Sequence, residues 1–288
     1  RIGVPRGLYY RPPRLDNAPD RAALFRCATA AIPLMNPFDS PMHVADPDAD
    51  WLASPVPSRA LQRFDVNARG RDFFVGDIHG SFSALRRAMD TVQFDEQVDR
   101  LFSVGDLVDR GPESEQVLDW LDQPWFHAIC GNHDFMIWRA ALGDPYREVD
   151  FLRHGGHWLL RLDDEQRQRI GERLRDLPFA IEVQTPDGVV GSIHADCPFH
   201  DWEHVRAFDW ARLDPAGPLG KRCLWMPMRF AMHRSIPIAN VRAVVHGHVT
   251  LPAARMLGNV HYIDTGGWQP GGQFTLLQID SLTPIRGT

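Results

Sequence analysis

The sequence predicts an α/β fold whose strands deliver polar side chains to one common edge. Five short β-rich runs are apolar, are closed by glycine and lead into a group that can bind a cation; they occupy residues 73–80, 100–111, 126–134, 189–196 and 241–249. Continuous apolar runs are typical of strands that are buried on both faces. Because ligands bind outside the carboxyl ends of such strands, the pattern indicates one metal site assembled from distant parts of the chain.

Amphipathic segments between these runs predict helices. The segment after Gly80 places four apolar side chains on one helical face: Phe82, Leu85, Met89 and Val92. Ser81 stands directly before them as a candidate N-cap. A polar helix is expected over residues 164–177, and a β-hairpin is expected in "FAIEVQTPDGVVGSIHA". Two more strands are predicted near the end of the chain, in "VHYIDTGG" and "QFTLLQID".

The composition argues against several classes of partner. The chain has 288 residues and is 44% hydrophobic, which is sufficient for a large core. A formal net charge of −6 gives no basic footprint, so nucleic acid is not an expected partner. No apolar segment approaches the length that spans a bilayer, so no membrane partner is expected. The four cysteines form no C-x-x-C pair, which is typical of free thiols in a reducing cytoplasm. We therefore expect a cytoplasmic protein, and the sequence carries no signal for an oligomeric state.

The polar residues at the strand ends suit a pair of metal ions. Two divalent cations that lie close together share one anionic ligand and take imidazole, carboxylate and amide oxygen in the other positions. Asp77 and His79 are two residues apart at one strand end and suit the first metal, and Asp106 suits the shared position. The second metal is then completed by Asn132, His194 and His248. This mixed ligation fits Mn, Fe or Zn better than Ca, and we expect two divalent metal ions, with Mn²⁺ as the first candidate and Fe and Zn as alternatives.

Three motifs carry a family resemblance. "GDIHG", "GDLVDRG" and "GNHD" resemble the signature of the phosphoprotein phosphatase family of metallophosphoesterases, most of all its small bacterial serine/threonine phosphatases. "IHAD" and "HGHV" fall where that family keeps two further metal histidines. The similarity extends over roughly residues 66–270. Two departures are Asp134, where the family more often has glutamate, and Cys130, where a larger basic residue is common.

The resemblance implies a fold and a division of the chain. The implied fold is an α/β metallophosphoesterase of the calcineurin-like type, a β-sandwich flanked by helices, with both metals at the carboxyl ends of the strands. Residues 66–288 would form this catalytic domain. Residues 1–65 are rich in proline and contain no candidate ligand, so we expect an irregular N-terminal arm that is dispensable for chemistry.

The resemblance also implies roles for individual residues. The metal ligands by position are Asp77, His79, Asp106, Asn132, His194 and His248. His133 and Asp109 resemble the family's acid pair, and Arg110 resembles a phosphate-binding arginine. A second such arginine is expected near a tryptophan, where "LWMPMRF" offers Arg229, with Arg222 as a rival. His246 is either a residue that orients a ligand or a buried strand histidine.

These roles predict phosphoester hydrolysis by a two-metal-activated hydroxide. Two cations lower the pKa of a water between them, and the resulting hydroxide attacks phosphorus in line. Arg110 grips two phosphate oxygens, and His133, supported by Asp109, protonates the leaving alkoxide. The expected activity is that of a metal-dependent phosphomonoesterase, a serine/threonine protein phosphatase whose partner is a phosphorylated protein or peptide.

Three alternatives remain at this stage. A dinucleoside polyphosphate hydrolase would share the same chemistry and similar motifs. A phosphodiesterase or nuclease is less favoured, because many diesterase relatives place another imidazole where this chain has Thr250. A catalytically silent binding module would retain the fold for recognition alone, but every expected ligand and the acid pair are present.

Overall fold

The computed structural model describes residues 61–143 and 148–287. Eleven strands run through this part of the chain: β1 (Leu61–Phe64), β2 (Asp72–Val75), β3 (Arg100–Ser103), β4 (Phe126–Ala128), β5 (Ala180–Thr185), β6 (Gly188–Ile193), β7 (Ala243–His246), β8 (Arg255–Leu257), β9 (Val260–Tyr262), β10 (Thr275–Gln278) and β11 (Thr283–Arg286). The α-helices of the same residues are α1 (Phe82–Thr91), α2 (Val117–Leu121), α3 (Asn132–Ala141), α4 (Glu148–Arg153), α5 (Asp164–Arg175), α6 (Trp202–Ala207), α7 (Pro218–Leu224) and α8 (Met228–Ala231).

The strands form two mixed sheets. One sheet has the order β1-β5-β6-β7-β9-β8, and the other has the order β11-β10-β2-β3-β4. Strands β2, β3 and β4 are parallel to one another, and so are β6, β7 and β9. Each sheet therefore brings the carboxyl ends of three strands to the same edge. The predicted hairpin is confirmed, because β5 and β6 pair antiparallel with Thr185 opposite Gly188.

The apolar runs are continuous because both faces of the strands are buried. In β2, Phe74 packs with Phe102, Val183 and Val245 in a core that takes residues from both sheets. Its neighbours Phe73 and Val75 point the other way, into the larger core that includes helix residues such as Leu85 and Phe135. Successive strand residues face opposite sides, so each strand contributes to both cores. The predicted sandwich flanked by helices is confirmed.

Helix α1 begins differently from the prediction. All four predicted apolar residues are buried: Phe82, Leu85, Met89 and Val92. Ser81 is the N-cap residue, but its hydroxyl makes no capping hydrogen bond. Instead, a carboxylate oxygen of Glu113 accepts from the main-chain N–H of Ser83 at 2.7 Å. A residue from the loop after β3 thus satisfies a free donor at the start of the helix.

The predicted N-terminal arm falls mostly outside the described residues, which begin at Leu61. Residues 61–64, placed in the arm by the boundary at 65, form β1 and pair in parallel with β5. In residues 61–143 and 148–287, no helix combines the length and the apolar composition needed to cross a membrane.

Candidate dinuclear metal site

Apart from Arg229 on α8, the predicted site residues lie just after β2, β3, β4, β6 and β7, with Asn132 and His133 at the start of α3 and the others in loops. Five of them have a positive φ, which is uncommon for residues other than glycine: His79 (45°), Asp106 (53°), Asp109 (73°), Arg110 (65°) and His248 (65°). The loops are tied together through main-chain atoms, because the carbonyl oxygen of Asp106 accepts from the N–H groups of Ile78 and His79 at 3.0 and 2.8 Å. Such conformations persist where surrounding contacts enforce them, and they concentrate at functional sites.

Asp106 lies at the centre of the cluster. Its Oδ2 is 3.7 Å from Nε2 of His79 and 3.5 Å from Nε2 of His194, while its Oδ1 accepts from the main-chain N–H of His133 at 2.8 Å. The potential ligand atoms form two groups, and within each group they lie within 4.8 Å of one another. One group is His79, Asp106 and His133, and the other is Asp106, His194 and His248. Asp106 belongs to both groups, as a carboxylate shared by two cations would.

Main-chain carbonyl groups orient the three histidines that were predicted as ligands. Nδ1 of His79 contacts the oxygen of Val108 at 2.9 Å, and Nδ1 of His194 contacts that of Val104 at 2.8 Å. In His248, Nε2 contacts the oxygen of Trp225 at 3.1 Å. A nitrogen that donates to a carbonyl leaves the other ring nitrogen with a free electron pair. The electron pairs therefore lie on Nε2 of His79, Nε2 of His194 and Nδ1 of His248, as metal ligation requires.

The donor atoms of the second group converge on one point. Oδ1 of Asn132 lies 3.0 Å from Nε2 of His194 and 2.9 Å from Nδ1 of His248. With the carbonyl-directed tautomers, all three atoms offer electron pairs, so the point between them suits a cation. Although burial lowers the pKa of His194, the Asp106 carboxylate raises it to about 10. The set of amide oxygen, imidazole nitrogens and carboxylate fits a divalent transition metal.

Asp77 is placed against His248 rather than inside either group. Its two carboxylate oxygens accept from the main-chain N–H of His248 at 3.1 and 3.0 Å. The close approach requires Gly247, where a Cβ atom would lie 2.1 Å from Oδ1 of Asp77. Burial and then the neighbouring Asp264 carboxylate raise the pKa of Asp77 well above its ordinary value. Concentrated buried carboxylates of this kind favour a bound cation.

Asp264 was missed by the sequence analysis although it obeys the same rule. It follows β9 and ends the apolar run of "VHYIDTGG", so it is a carboxylate at a sixth strand end of this edge. Its oxygens accept from the hydroxyl of Thr250 at 2.6 Å and from the main-chain N–H of Gly266 at 3.0 Å. Thr250, which stands where many diesterase relatives have another imidazole, therefore holds the Asp264 carboxylate in place through its hydroxyl.

The predicted acid pair is in contact and buried. Nδ1 of His133 lies 2.7 Å from Oδ2 of Asp109, and Oδ1 of Asp109 accepts from Nε1 of Trp158 at 2.8 Å. Burial lowers the pKa of His133 to about 4 and raises that of Asp109 to about 8. These directions disfavour a charged pair, whereas the hydrogen bond from Trp158 favours the carboxylate. Trp158 was not predicted as a site residue. The glycine-rich composition of the "HGGHW" segment that contains it is the sequence signal that could have pointed to it.

Arg110 links the first ligand group to the acid pair. Its two terminal nitrogens lie 2.8 Å from Nε2 of His79 and 3.0 Å from Nε2 of His133. A guanidinium only donates, so both imidazole nitrogens accept from it. The guanidinium carbon also lies 4.7 Å from the ring centre of Trp268, which meets His79 edge-on at 4.9 Å. Trp268 is a second residue that sequence reasoning missed.

The two rival arginines point elsewhere. Arg229 is buried, and its guanidinium donates to the main-chain oxygens of Arg234 and Ile236. Arg222 donates to Oδ2 of Asp196 at 2.7 Å. Within residues 61–143 and 148–287, the hydrogen bonds of both arginines lead to these groups and to nearby carbonyls rather than to the ligand groups. Both line a separate pocket with His200 and Arg234.

His246 and Asp134 have structural contacts. His246 is the last residue of β7, is fully buried, and its Nδ1 contacts the main-chain oxygen of Ile193. Asp134 accepts from the main-chain N–H groups of Leu107 and Gly131, both at 2.9 Å. The shorter acid at position 134 therefore joins the loop after β3 to the loop after β4, which positions Asp106 relative to Asn132.

The fold and the ligand geometry define a metal-dependent phosphoesterase. Residues 73–252 match the model of the calcineurin-like phosphoesterase family. The chain belongs to this family, and the resemblance seen in its motifs is confirmed.

Bacterial relatives extend the match to most of the chain. Serine/threonine-protein phosphatase 1 of Salmonella typhimurium is 33% identical over 226 residues, which are 77% of this chain and 98% of the relative. Serine/threonine-protein phosphatase 2 of Escherichia coli is 30% identical and covers 75% of this chain and 96% of its own length. A symmetrical bis(5'-nucleosyl)-tetraphosphatase of Coxiella burnetii is 31% identical over 140 residues, 48% of this chain and 45% of the relative.

A solved structure shares the fold. A protein serine/threonine phosphatase from Saccharomyces cerevisiae superposes with a TM-score of 0.54 at 14% identity, covering 78% of each chain.

Proposed function

We propose that this chain is a metal-dependent phosphomonoesterase that acts as a serine/threonine protein phosphatase on phosphorylated proteins or peptides. The observation that carries the proposal is the position of Arg110, which contacts both a ligand histidine and the His133–Asp109 pair. A phosphate held there would lie beside the cation ligands and within reach of a proton donor. The two Salmonella and Escherichia relatives, which align over nearly their whole length, support protein substrates.

The proposed metal ligands fall into two overlapping sets. Asp77, His79 and Asp106 would hold the first cation. The second would be held by Asp106, Asn132, His194 and His248. When bound, two divalent cations supply an activated water and neutralise phosphate charge. The donor set of imidazole, carboxylate and amide favours Mn²⁺ among the metals that could serve, with Fe or Zn as substitutes.

The chain's own side chains would bind the phosphate and deliver a proton. Arg110 offers two parallel N–H donors, which suit two oxygens of one phosphate. The ring face of Trp268 lies against the Arg110 guanidinium. With Arg110 engaged by the phosphate, Nε2 of His133 would be free to carry a proton and give it to the departing serine or threonine oxygen, and Asp109 would hold the imidazole in place through Nδ1. Arg229 is not proposed as a phosphate ligand, because its guanidinium is engaged by main-chain carbonyls.

The remaining features of the proposal concern the chain as a whole. The catalytic domain, residues 66–288 together with β1 at residues 61–64, would carry the chemistry, and the rest of residues 1–65 would not be needed for it. The described cysteines Cys130, Cys197 and Cys223 are free and buried, which supports function in the reducing cytoplasm. The formal charge of −6 supports a substrate other than nucleic acid.

A substrate comparison tests the proposal. Metal-free protein would be assayed after addition of Mn²⁺ with a phosphoserine peptide, diadenosine tetraphosphate and bis-p-nitrophenyl phosphate. We expect metal-dependent release of phosphate from the peptide, with the highest kcat/KM of the three. Turnover of the diester alone, or no metal-dependent turnover of any phosphate ester, would overturn it.

A second candidate function is hydrolysis of dinucleoside polyphosphates. The observation that favours it is the Coxiella relative, although that match covers less than half of either chain. In the same assay, a kcat/KM for diadenosine tetraphosphate well above that for the peptide would replace the first proposal with this one.

A further inference from the structure

Trp158 makes a specific contact with the acid pair from a distant segment. It lies in the 3₁₀-helix Gly156–Arg161, and its indole N–H donates to Oδ1 of Asp109 over 2.8 Å. Trp158 is 4% exposed and Asp109 is fully buried. The contact therefore replaces water at a carboxylate that would otherwise be left partly unpaired inside the protein.

The indole fixes the rotation of the carboxylate. Asp109 has one oxygen on Trp158 and the other on Nδ1 of His133, at 2.8 and 2.7 Å. With both oxygens engaged, the carboxylate cannot turn about its own axis without breaking a buried hydrogen bond. The imidazole is then held with Nδ1 on Asp109 and with Nε2 towards Arg110.

Gly155 allows the tryptophan segment to approach the loop that carries Asp109. Gly155 has a φ of 103°, and a Cβ atom there would lie 2.7 Å from the main-chain nitrogen of Arg110. The ring of His154, directly before Gly155, meets the ring of His133 edge-on with centroids 5.6 Å apart. The segment thus packs against Arg110 and His133 at the same time.

We propose that Trp158 is a positioning residue for proton donation, holding His133 through Asp109 while the phosphoester bond is cleaved. The inference rests on the proposed phosphatase activity and on His133 as the proton donor. It predicts that loss of the indole N–H affects substrates according to their need for a proton. A serine alkoxide is a strong base and needs one, whereas nitrophenolate leaves as an anion.

The test compares two tryptophans with the same kind of bond. Trp202 is fully buried and donates to Oε2 of Glu182 at 2.9 Å, away from the ligand groups. Trp158→Phe and Trp202→Phe each remove one buried indole N–H from a carboxylate. The measurements are kcat and KM with Mn²⁺ for a phosphoserine peptide and for a series of aryl phosphates of increasing leaving-group pKa.

For Trp158→Phe we expect kcat on the peptide to fall about tenfold more than kcat on p-nitrophenyl phosphate, a fraction of the roughly 10²–10⁴-fold that proton donation contributes. The plot of log kcat against leaving-group pKa should become steeper, with KM little changed. Trp202→Phe should keep the wild-type slope even if it lowers thermal stability. Equal losses on all substrates for Trp158→Phe, or the same steepening in Trp202→Phe, would overturn the inference.

A second variant separates the hydrogen bond from the ring volume. Site-specific replacement of Trp158 by benzothienylalanine keeps the bicyclic shape and removes only the N–H, so it decides the question if Trp158→Phe does not fold. It should steepen the same plot, and a wild-type slope would refute the role. Failure of the proposed function would look different, because the wild-type protein itself would then not hydrolyse the peptide.

Discussion

The replacement His133→Asn tests the proton-donating role most directly. The imidazole is 1% exposed, and both of its nitrogens are engaged, with Asp109 at 2.7 Å and with Arg110 at 3.0 Å. Asparagine is polar and smaller, so it keeps a hydrogen-bonding group near Asp109 but cannot present a proton at the position of Nε2. The metal ligands are left in place, because His133 binds Asp106 only through its main-chain N–H.

The size of the effect should depend on the leaving group. Proton donation by a positioned side chain contributes about 10²–10⁴-fold, so a phosphoserine peptide should lose about 10²-fold or more in kcat/KM. This loss corresponds to about 2.7 kcal/mol of transition-state stabilisation. Nitrophenolate departs without a proton, so p-nitrophenyl phosphate should lose less than about tenfold.

The assay measures kcat/KM for both substrates at saturating Mn²⁺, with metal content and thermal stability as controls. Asp109→Asn should also lower kcat/KM more for the peptide than for p-nitrophenyl phosphate, but by smaller factors, since Asp109 acts through the imidazole. Equal losses on both substrates for His133→Asn would mean that the histidine positions phosphate or water, and the role as proton donor would be withdrawn.

Three further changes test the other parts of the site. Asp106→Asn weakens the carboxylate common to both ligand groups, so turnover and bound metal should fall together; full metal content by elemental analysis with a normal rate would show that Asp106 is not shared. Arg110→Ala removes the grip on the phosphate itself, so kcat/KM should fall by similar factors on the peptide and on p-nitrophenyl phosphate, and a loss confined to the peptide would refute that role. A chain truncated to begin at residue 60 keeps β1 and should retain activity on p-nitrophenyl phosphate; a folded but inactive truncation would place the missing segment in the site.

The strand-end residues were predictable because their geometry is local. A buried strand that stops at a sheet edge places the next two or three residues there, so the sequence was enough to bring Asp106, His194 and His248 together. The same reasoning would have found Asp264, but the run before it was treated only as a strand. The ties between loops, such as those from the Asp134 carboxylate to two main-chain N–H groups, depend on the three-dimensional approach of the β3 and β4 ends and leave no periodic signal.

Contacts made across long separations were not predictable. Trp158 reaches Asp109 over 49 residues, and nothing in either local pattern specifies the partner. For Arg229 the local pattern was as expected, because it follows a tryptophan, but the direction of its side chain was not. It lies on the short helix α8, and its guanidinium donates to two main-chain carbonyl oxygens. The direction of a side chain on one turn of helix is decided by packing, which a motif does not encode.

The way the ligand histidines are oriented affects how the enzyme can change by mutation. Their acceptors are the main-chain oxygens of Val108, Val104 and Trp225, and no substitution at those positions removes a carbonyl group. The proposed proton-donating pair has no such protection, because the Asp109 carboxylate that holds His133 and the Trp158 indole that holds Asp109 are both side-chain groups. Genetic drift at the orienting positions should therefore leave the ligand histidines in place while it alters which leaving groups are accepted. Enzymes descended from such a chain would diverge first in the esters they cleave and last in the metals they bind.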